Sequence, residues 1–181
     1  MKKITILLTT LILSCPNASL AQADTYQYKP YIGLDYLYNR ISAKQLSPYN
    51  NAFSLRIGSD YSRYFSSELF LTQSDSQSKY PRGEKFKSSY RAYGLDVVGY
   101  LPIAKFSFLA TVGIGEYVFK MRLYPEKHHN EHGYGYRFGG GLKYAVDEHW
   151  QWRTICRYVK FNHVHQYNHA VEYTTGVEYH F

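Results

Sequence analysis

Cysteine is nearly missing from this chain: 181 residues hold two, Cys15 and Cys156. Long hydrophobic runs are missing as well, since nothing after residue 23 approaches the roughly 18 consecutive apolar residues of a membrane helix. Leucine at helical spacing is also lacking. These absences exclude a disulfide-stapled scaffold, a helical membrane protein and a helix bundle. The net charge of +7 is basic, yet no stretch resembles a nucleic-acid-binding module, and nucleic acid is not an expected partner.

The N-terminus explains one cysteine. Lys2 and Lys3 precede an apolar stretch from Ile4 to Leu13, and Ala21-Gln22-Ala23 forms an A-x-A cleavage site. That arrangement is a secretory signal peptide, residues 1–23, leaving a domain of residues 24–181. A second reading takes "LILSC" as a loose lipobox with Cys15 as the lipidated residue, although Leu13 is poor at its position there. Cleavage after Ala23 removes Cys15, Lys2 and Lys3, which lowers the charge to +5 and leaves Cys156 without a disulfide partner.

What is abundant is aromatic: 21 tyrosines, and 18% Phe, Trp and Tyr together. Read with period two, the mature chain divides into eight strand-like segments, near 30–41, 52–61, 65–74, 88–101, 106–119, 133–146, 150–161 and 169–181. Long polar connections (42–51, 75–87, 120–132, 162–168) alternate with tight turns near Ser62-Arg63, Pro102-Ile103-Ala104 and Asp147-Glu148-His149. Short turns at one end and long loops at the other mark an antiparallel up-and-down transmembrane barrel.

The charges select the register. One face reads Ile32, Leu34, Tyr36, Phe53, Leu55, Ile57 and continues to Tyr173, Val177, Tyr179 and Phe181, with charges only near strand ends at Arg91, Glu116 and Lys160. The opposite face carries Asp35, Arg56, Asp60, Glu68, Asp96, Arg137, Lys143, Arg153, Arg157, Glu172 and Glu178. Slipping any strand by one residue would turn that second set outward, at about 2–4 kcal/mol for each Arg or Lys at the bilayer midplane. Alternation alone leaves a soluble lipocalin-like barrel, aromatics inward, as the competing arrangement. Aromatic clusters at strand ends ("YSRYF", "HWQW", "YRAY") favour the membrane arrangement.

The final residues carry a recognisable pattern. Gly176, Tyr179 and Phe181 in "GVEYHF" resemble the β-signal of bacterial outer-membrane proteins. "YKPYIGLDYLYNR" and "YGYRFGGGLKYAVDEHWQWRTICRYVKF" resemble the first and the sixth and seventh strands of the small outer-membrane β-barrel family, which includes the OmpA transmembrane domain and porin-like relatives. The resemblance implies an all-β, eight-stranded barrel in the outer membrane of a Gram-negative bacterium, inserted by the barrel-assembly machinery. With no peptidoglycan-binding domain after Phe181, it implies no cell-wall anchor.

Eight strands leave a lumen just wide enough for side chains to fill. The inward set has six acids against five bases, and Glu68, Asp96, Arg137, Arg153, Arg157 and Glu178 are expected to form an internal ion-pair network, because buried charges must be paired. A narrow ion path along the same residues is the alternative. Gly139, Gly140 and Gly141 are expected to relieve crowding or curvature.

Function then moves to the long loops. Lys79, Arg82, Lys85, Lys87 and Arg91 crowd the second, and Lys120, Arg122 and Lys127 flank the third. A basic rim attracts lipopolysaccharide phosphates, and extracellular or host polyanions. All eight histidines lie at or after residue 128, and His128, His129, His132, His163, His165 and His169 sit around the third and fourth loops, where neutral imidazoles suit a surface Zn²⁺ or Cu²⁺ site.

His128-x-x-Glu131-His132 matches the H-x-x-E-H pattern of inverted zinc peptidases, which needs a helix to bring both histidines to one face. Pro125 upstream and Gly133 with an alternating strand downstream deny that helix, so the match is expected to lie at an exposed loop tip. The expected function is therefore a non-enzymatic surface barrel, structural or adhesive, without cofactor or catalytic residues. The alternative is a lipid A deacylase or acyltransferase, which needs a serine beside its histidine; none lies beside His163, His165 or His169.

Overall fold

The computed structural model describes residues 28–43, 49–74, 77–79, 86–123, 127–163 and 167–181, with side chains described except at 43, 49, 77–79, 86–88, 121–123 and 127–129. Residues 1–23, including Cys15, lie outside the described residues. The strands are β1 Lys29–Ala43, β2 Tyr49–Ser62, β3 Phe65–Ser74, β4 Gln77–Lys79, β5 Phe86–Ile103, β6 Phe106–Leu123, β7 Lys127–Ala145, β8 Trp150–Asn162 and β9 Tyr167–His180. Each pairs antiparallel with its neighbour in the order β3-β2-β1-β9-β8-β7-β6-β5, and β3 pairs back onto β5 to close the ring. The short β4 pairs with the start of β5 and continues the line of β3, so the barrel has eight staves. Closure pairs every edge, the condition for strands to cross a bilayer.

Burial decides which way the barrel faces. Every charged residue of the second face is buried, with Arg56 at 1% and Asp96 at 0% exposure. The apolar face is the exposed one, with Phe53 and Val112 at 60%. A soluble barrel inverts that distribution, and an apolar surface of this extent is far beyond what a water-soluble monomer carries. The exposed band runs through Ile32, Leu34, Leu55, Ile57, Leu69, Leu95, Val112 and Ile114. Trp150, Trp152 and Phe106 flank it at the short-turn end, and Tyr36, Phe53, Tyr93 and Tyr134 at the long-loop end, in the manner of two aromatic girdles.

Glycines sit where arginines need room. A Cβ on Gly33 would stand 2.6 Å from Arg56 Nη2, and one on Gly139 2.8 Å from Arg157 Cγ. Both are inward positions, and the missing Cβ leaves room for the Arg56 guanidinium at Gly33 and for the stem of Arg157 at Gly139. Gly140 faces outward, with only a 3.3 Å approach to Leu109 O.

The third polar stretch departs from expectation. Residues 120–123 and 127–132 are strand rather than loop: β6 runs to Leu123 and β7 begins at Lys127, with Arg122 opposite His128 and Val118 opposite His132. A paired hairpin can continue beyond the bilayer because its backbone stays satisfied while both faces meet water. The H-x-x-E-H stretch therefore lies on a strand rather than at a loop tip. Side chains there alternate, which exposes His132 and turns Glu131 to the other face.

Candidate functional site

The lumen is filled in two layers. Towards the short turns lies an ionic layer centred on Arg56 and Arg153. Arg56 donates from Nε to Asp35 Oδ2 at 2.6 Å and from Nη2 to Oδ1 at 2.8 Å. Its Nη1 reaches Glu68 at 3.1 Å and Glu178 at 3.0 Å. Arg153 grips Glu68 with two bonds of 2.9 Å, and the Tyr31 hydroxyl donates to the same carboxylate at 2.9 Å. Lys143 Nζ lies 2.6 Å from Glu178 Oε1.

Above this core the ionic contacts loosen. Arg137 Nε is 3.2 Å from Asp96 Oδ1, and its Nη2 is 3.6 Å from Glu172. Arg157 Nη2 stands 3.6 Å from Asp96 and 3.7 Å from Glu68. Neither Asp96 oxygen completes a hydrogen bond with protein.

Towards the long loops aromatic and aliphatic side chains fill the lumen beside buried Asn39, Asn50, Thr72 and Ser74. Tyr90, Tyr117, Phe119, Phe161 and Tyr167 pack with Leu37, Ile41 and Val159 in one buried cluster. Ring centroids lie 4.4 Å apart for Phe119 and Tyr167, 5.0 Å for Tyr117 and Phe161, and 5.2 Å for Phe119 and Phe161. The Arg137 guanidinium, 3.9 Å from the Phe70 ring, joins the two layers by a cation–π contact.

Sequence reasoning missed this aromatic plug, although most of it shares the period-two phase of the buried charges: Tyr90 is six residues from Asp96, and Phe161 four from Arg157. Tyr167 breaks the phase. A bulge against Ser42 and Ala43 of β1 turns it inward, and no alternation rule signals that.

The histidines with described side chains are dispersed. His132 is exposed on β7, with Nδ1 3.8 Å from Glu116 Oε1. His169 stacks on Tyr158 on the outer wall at 5.3 Å, and His163 caps β8 with a positive φ of 62°. His128 and His129 lie on β7 with side chains outside the described set, and His165 is outside the described residues. Among the described residues, no group of three His, Cys, Asp or Glu is placed to hold a metal. Of the basic rim, Arg91 and Lys120 are exposed. Lys79, Lys87, Arg122 and Lys127 lie on strands without described side chains, and Arg82 and Lys85 lie outside the described residues.

β9 closes the barrel against β1. Gly176 pairs with Asp35 and faces inward. Tyr179 points outward between Trp150, at 5.1 Å, and Phe181, at 5.3 Å, while Phe181 N donates to Pro30 O at 3.1 Å.

Residues 5–181 match the family model for the outer membrane protein beta-barrel domain. The chain belongs to that family. This outer membrane barrel resembles, in fold, neisserial surface protein A, with a TM-score of 0.72 at 15% identity over 86% of this chain and all of that one. It is similar to the attachment invasion locus protein Ail of Yersinia pestis, solved with the heparin analogue sucrose octasulfate, at a TM-score of 0.64 and 13% identity over 86% of this chain and 100% of Ail. The N-terminal barrel domain of OprF from Pseudomonas aeruginosa gives 0.61 at 12% identity, again over 86% of this chain and 100% of that one. No curated protein matches it in sequence.

Proposed function

We propose that this outer membrane barrel is a non-enzymatic surface protein whose extracellular rim engages soluble polyanions. The observation that carries the reading is the filled lumen: among the described residues, buried ion pairs below and stacked aromatics above occupy it. Action then falls to the long-loop end, where Arg91 and Lys120 stand exposed. Electrostatic attraction to a sulfated or phosphorylated polymer is long-range there and weakens with salt. The solved complex of Ail with a heparin analogue lends chemical support. Delivery to the membrane proceeds through the signal peptide of residues 1–23, and the barrel-assembly machinery reads Gly176, Tyr179 and Phe181 on the last strand.

Titration of the purified barrel in nanodiscs with sucrose octasulfate tests the polyanion reading; salt-sensitive binding supports it, and no binding at low salt overturns it. Mass analysis of lipid A from cells with and without the protein tests the enzymatic alternative. An altered acyl pattern would make this barrel an enzyme.

A further inference from the structure

Closure pairs the staves throughout the bilayer, but above it they end at different heights. β8 stops at Asn162, whose partner on β7 is Tyr134. The next residue, His163, has a φ of 62°, which turns the chain off the line of β8, and β9 begins at Tyr167. β7 continues past that level to Lys127, and β6 is the only strand paired to it there among the described residues. Residues 127–133 therefore form an edge strand on the side where β8 ends. At 3.4 Å per residue the edge runs for about 24 Å.

The edge is straight and well backed. β6 pairs with β7 from Tyr144 to Lys127 without a register shift, so no bulge bends the strand away. β5 backs β6 as far as Phe86, opposite Leu123, and β4 backs β5 at Gln77–Lys79. No proline lies within 127–133. Bulges and prolines are common protections of an exposed edge, and this stretch has neither. In an antiparallel ladder every second residue turns its N–H and C=O to the same side, which gives the edge about six to eight bonding groups. Its charge is one-sided. The stretch holds Lys127, His128, His129 and His132 against a single acid, Glu131, which has a partner of its own. Arg122 and Lys120 stand on β6 opposite His128 and Asn130. Glu116, whose Oε1 is 3.8 Å from His132 Nδ1, is also bound by the Tyr93 hydroxyl at 2.6 Å.

We propose that the β7 edge takes up an extended, acidic segment of an extracellular protein as an added strand. Donors and acceptors alternating along a strand edge are matched by another polypeptide backbone, and a polysaccharide has no such backbone. Acidic side chains on that segment are drawn by Lys127, Arg122 and Lys120. The inference goes beyond the soluble-polyanion reading, because main-chain pairing makes the contact and sets its register.

The test uses the whole barrel in nanodiscs and a labelled synthetic peptide of alternating glutamate and valine, as long as the edge. The peptide is expected to bind and to slow amide hydrogen exchange at every second residue of 127–133. N-methylation of the peptide amides keeps the charge and removes the donors, so affinity should fall at least about tenfold. Lys127→Glu with Arg122→Glu should weaken the glutamate peptide and favour a lysine–valine peptide instead, a reversal that a collapsed hairpin would not give. Heat-dependent gel mobility reports that the variant barrel is folded. Equal affinity of the methylated peptide overturns the proposal, as does a lack of binding, a lack of protection at 127–133, or an unchanged charge preference in the folded variant. Sucrose octasulfate binding, measured separately, reports on the soluble-polyanion reading.

Discussion

Arg153 on β8 and Glu68 on β3 meet across the full width of the lumen in a bidentate pair, with both N–O distances at 2.9 Å. The two strands lie on opposite sides of the eight-stave ring, so this contact ties together walls that share no backbone hydrogen bond. Arg56 and Tyr31 reach the same carboxylate, which makes Glu68 the hub of the ionic layer.

Neutralising that hub leaves buried guanidinium groups without compensation. Glu68→Gln is expected to cost about 3–5 kcal/mol, the usual penalty for breaking a buried ion pair from one side. Asp96→Asn should cost less, because its contacts to Arg137 and Arg157 are at 3.2 and 3.6 Å and form no hydrogen bond. Urea unfolding of both variants in phospholipid vesicles measures the difference; equal losses would refute the ranking.

The aromatic layer makes a second prediction. Phe119 touches Tyr90, Tyr117, Phe161 and Tyr167. Phe119→Ala should destabilise the barrel by about 3–5 kcal/mol through lost burial and an unfilled cavity. The wild-type protein should add no steady current to a planar bilayer, because both layers are intact. A stable wild-type conductance would show that the plug moves.

Lipid contact can be probed by depth. Val112 lies midway along the exposed band, whereas Phe53 lies at the outer girdle. Val112→Arg should cost about 2–4 kcal/mol and Phe53→Arg about 0–1 for the charge itself, beyond the loss of the ring. Reversible folding into lipid vesicles gives both values, and equal costs would argue against a bilayer around this face.

The periplasmic turn between β7 and β8 offers a pH test outside the membrane. Asp147 Oδ1 accepts hydrogen bonds from His149 N at 2.8 Å and Trp150 N at 2.6 Å. The Trp150 bond, followed by that of His149, lowers its pKa below the ordinary aspartate range. A carboxyl depressed on folding stabilises the fold above its unfolded pKa and loses that contribution as pH falls through its folded value. The melting temperature of Asp147→Ala should therefore sit below wild type at neutral pH, with the gap closing on acidification below the aspartate range. A gap that persists in acid would assign it to backbone conformation rather than to the carboxylate.

The alternation of Arg56, Glu68, Asp96 and Arg153 with aliphatic neighbours was enough to determine the number of staves and which residues share a face. Period two is a local property, and one misplaced charge in lipid costs more than any neighbouring preference returns. Which face points inward was only suggested by the aromatics at strand ends; burial of the charged face decided it. The extension of β6 to Leu123 and of β7 back to Lys127 was hidden, since polar residues above a bilayer look the same in a paired hairpin and in a loop. Partners across the lumen, such as Glu68 with Arg153, came from closure, because they lie 85 residues apart and shear sets which inward positions share a level. The same holds for Tyr167, turned inward by a bulge. The chain itself thus determined how residues divide between the two faces of each strand, Tyr167 excepted; only the closed, sheared ring determined which residues meet.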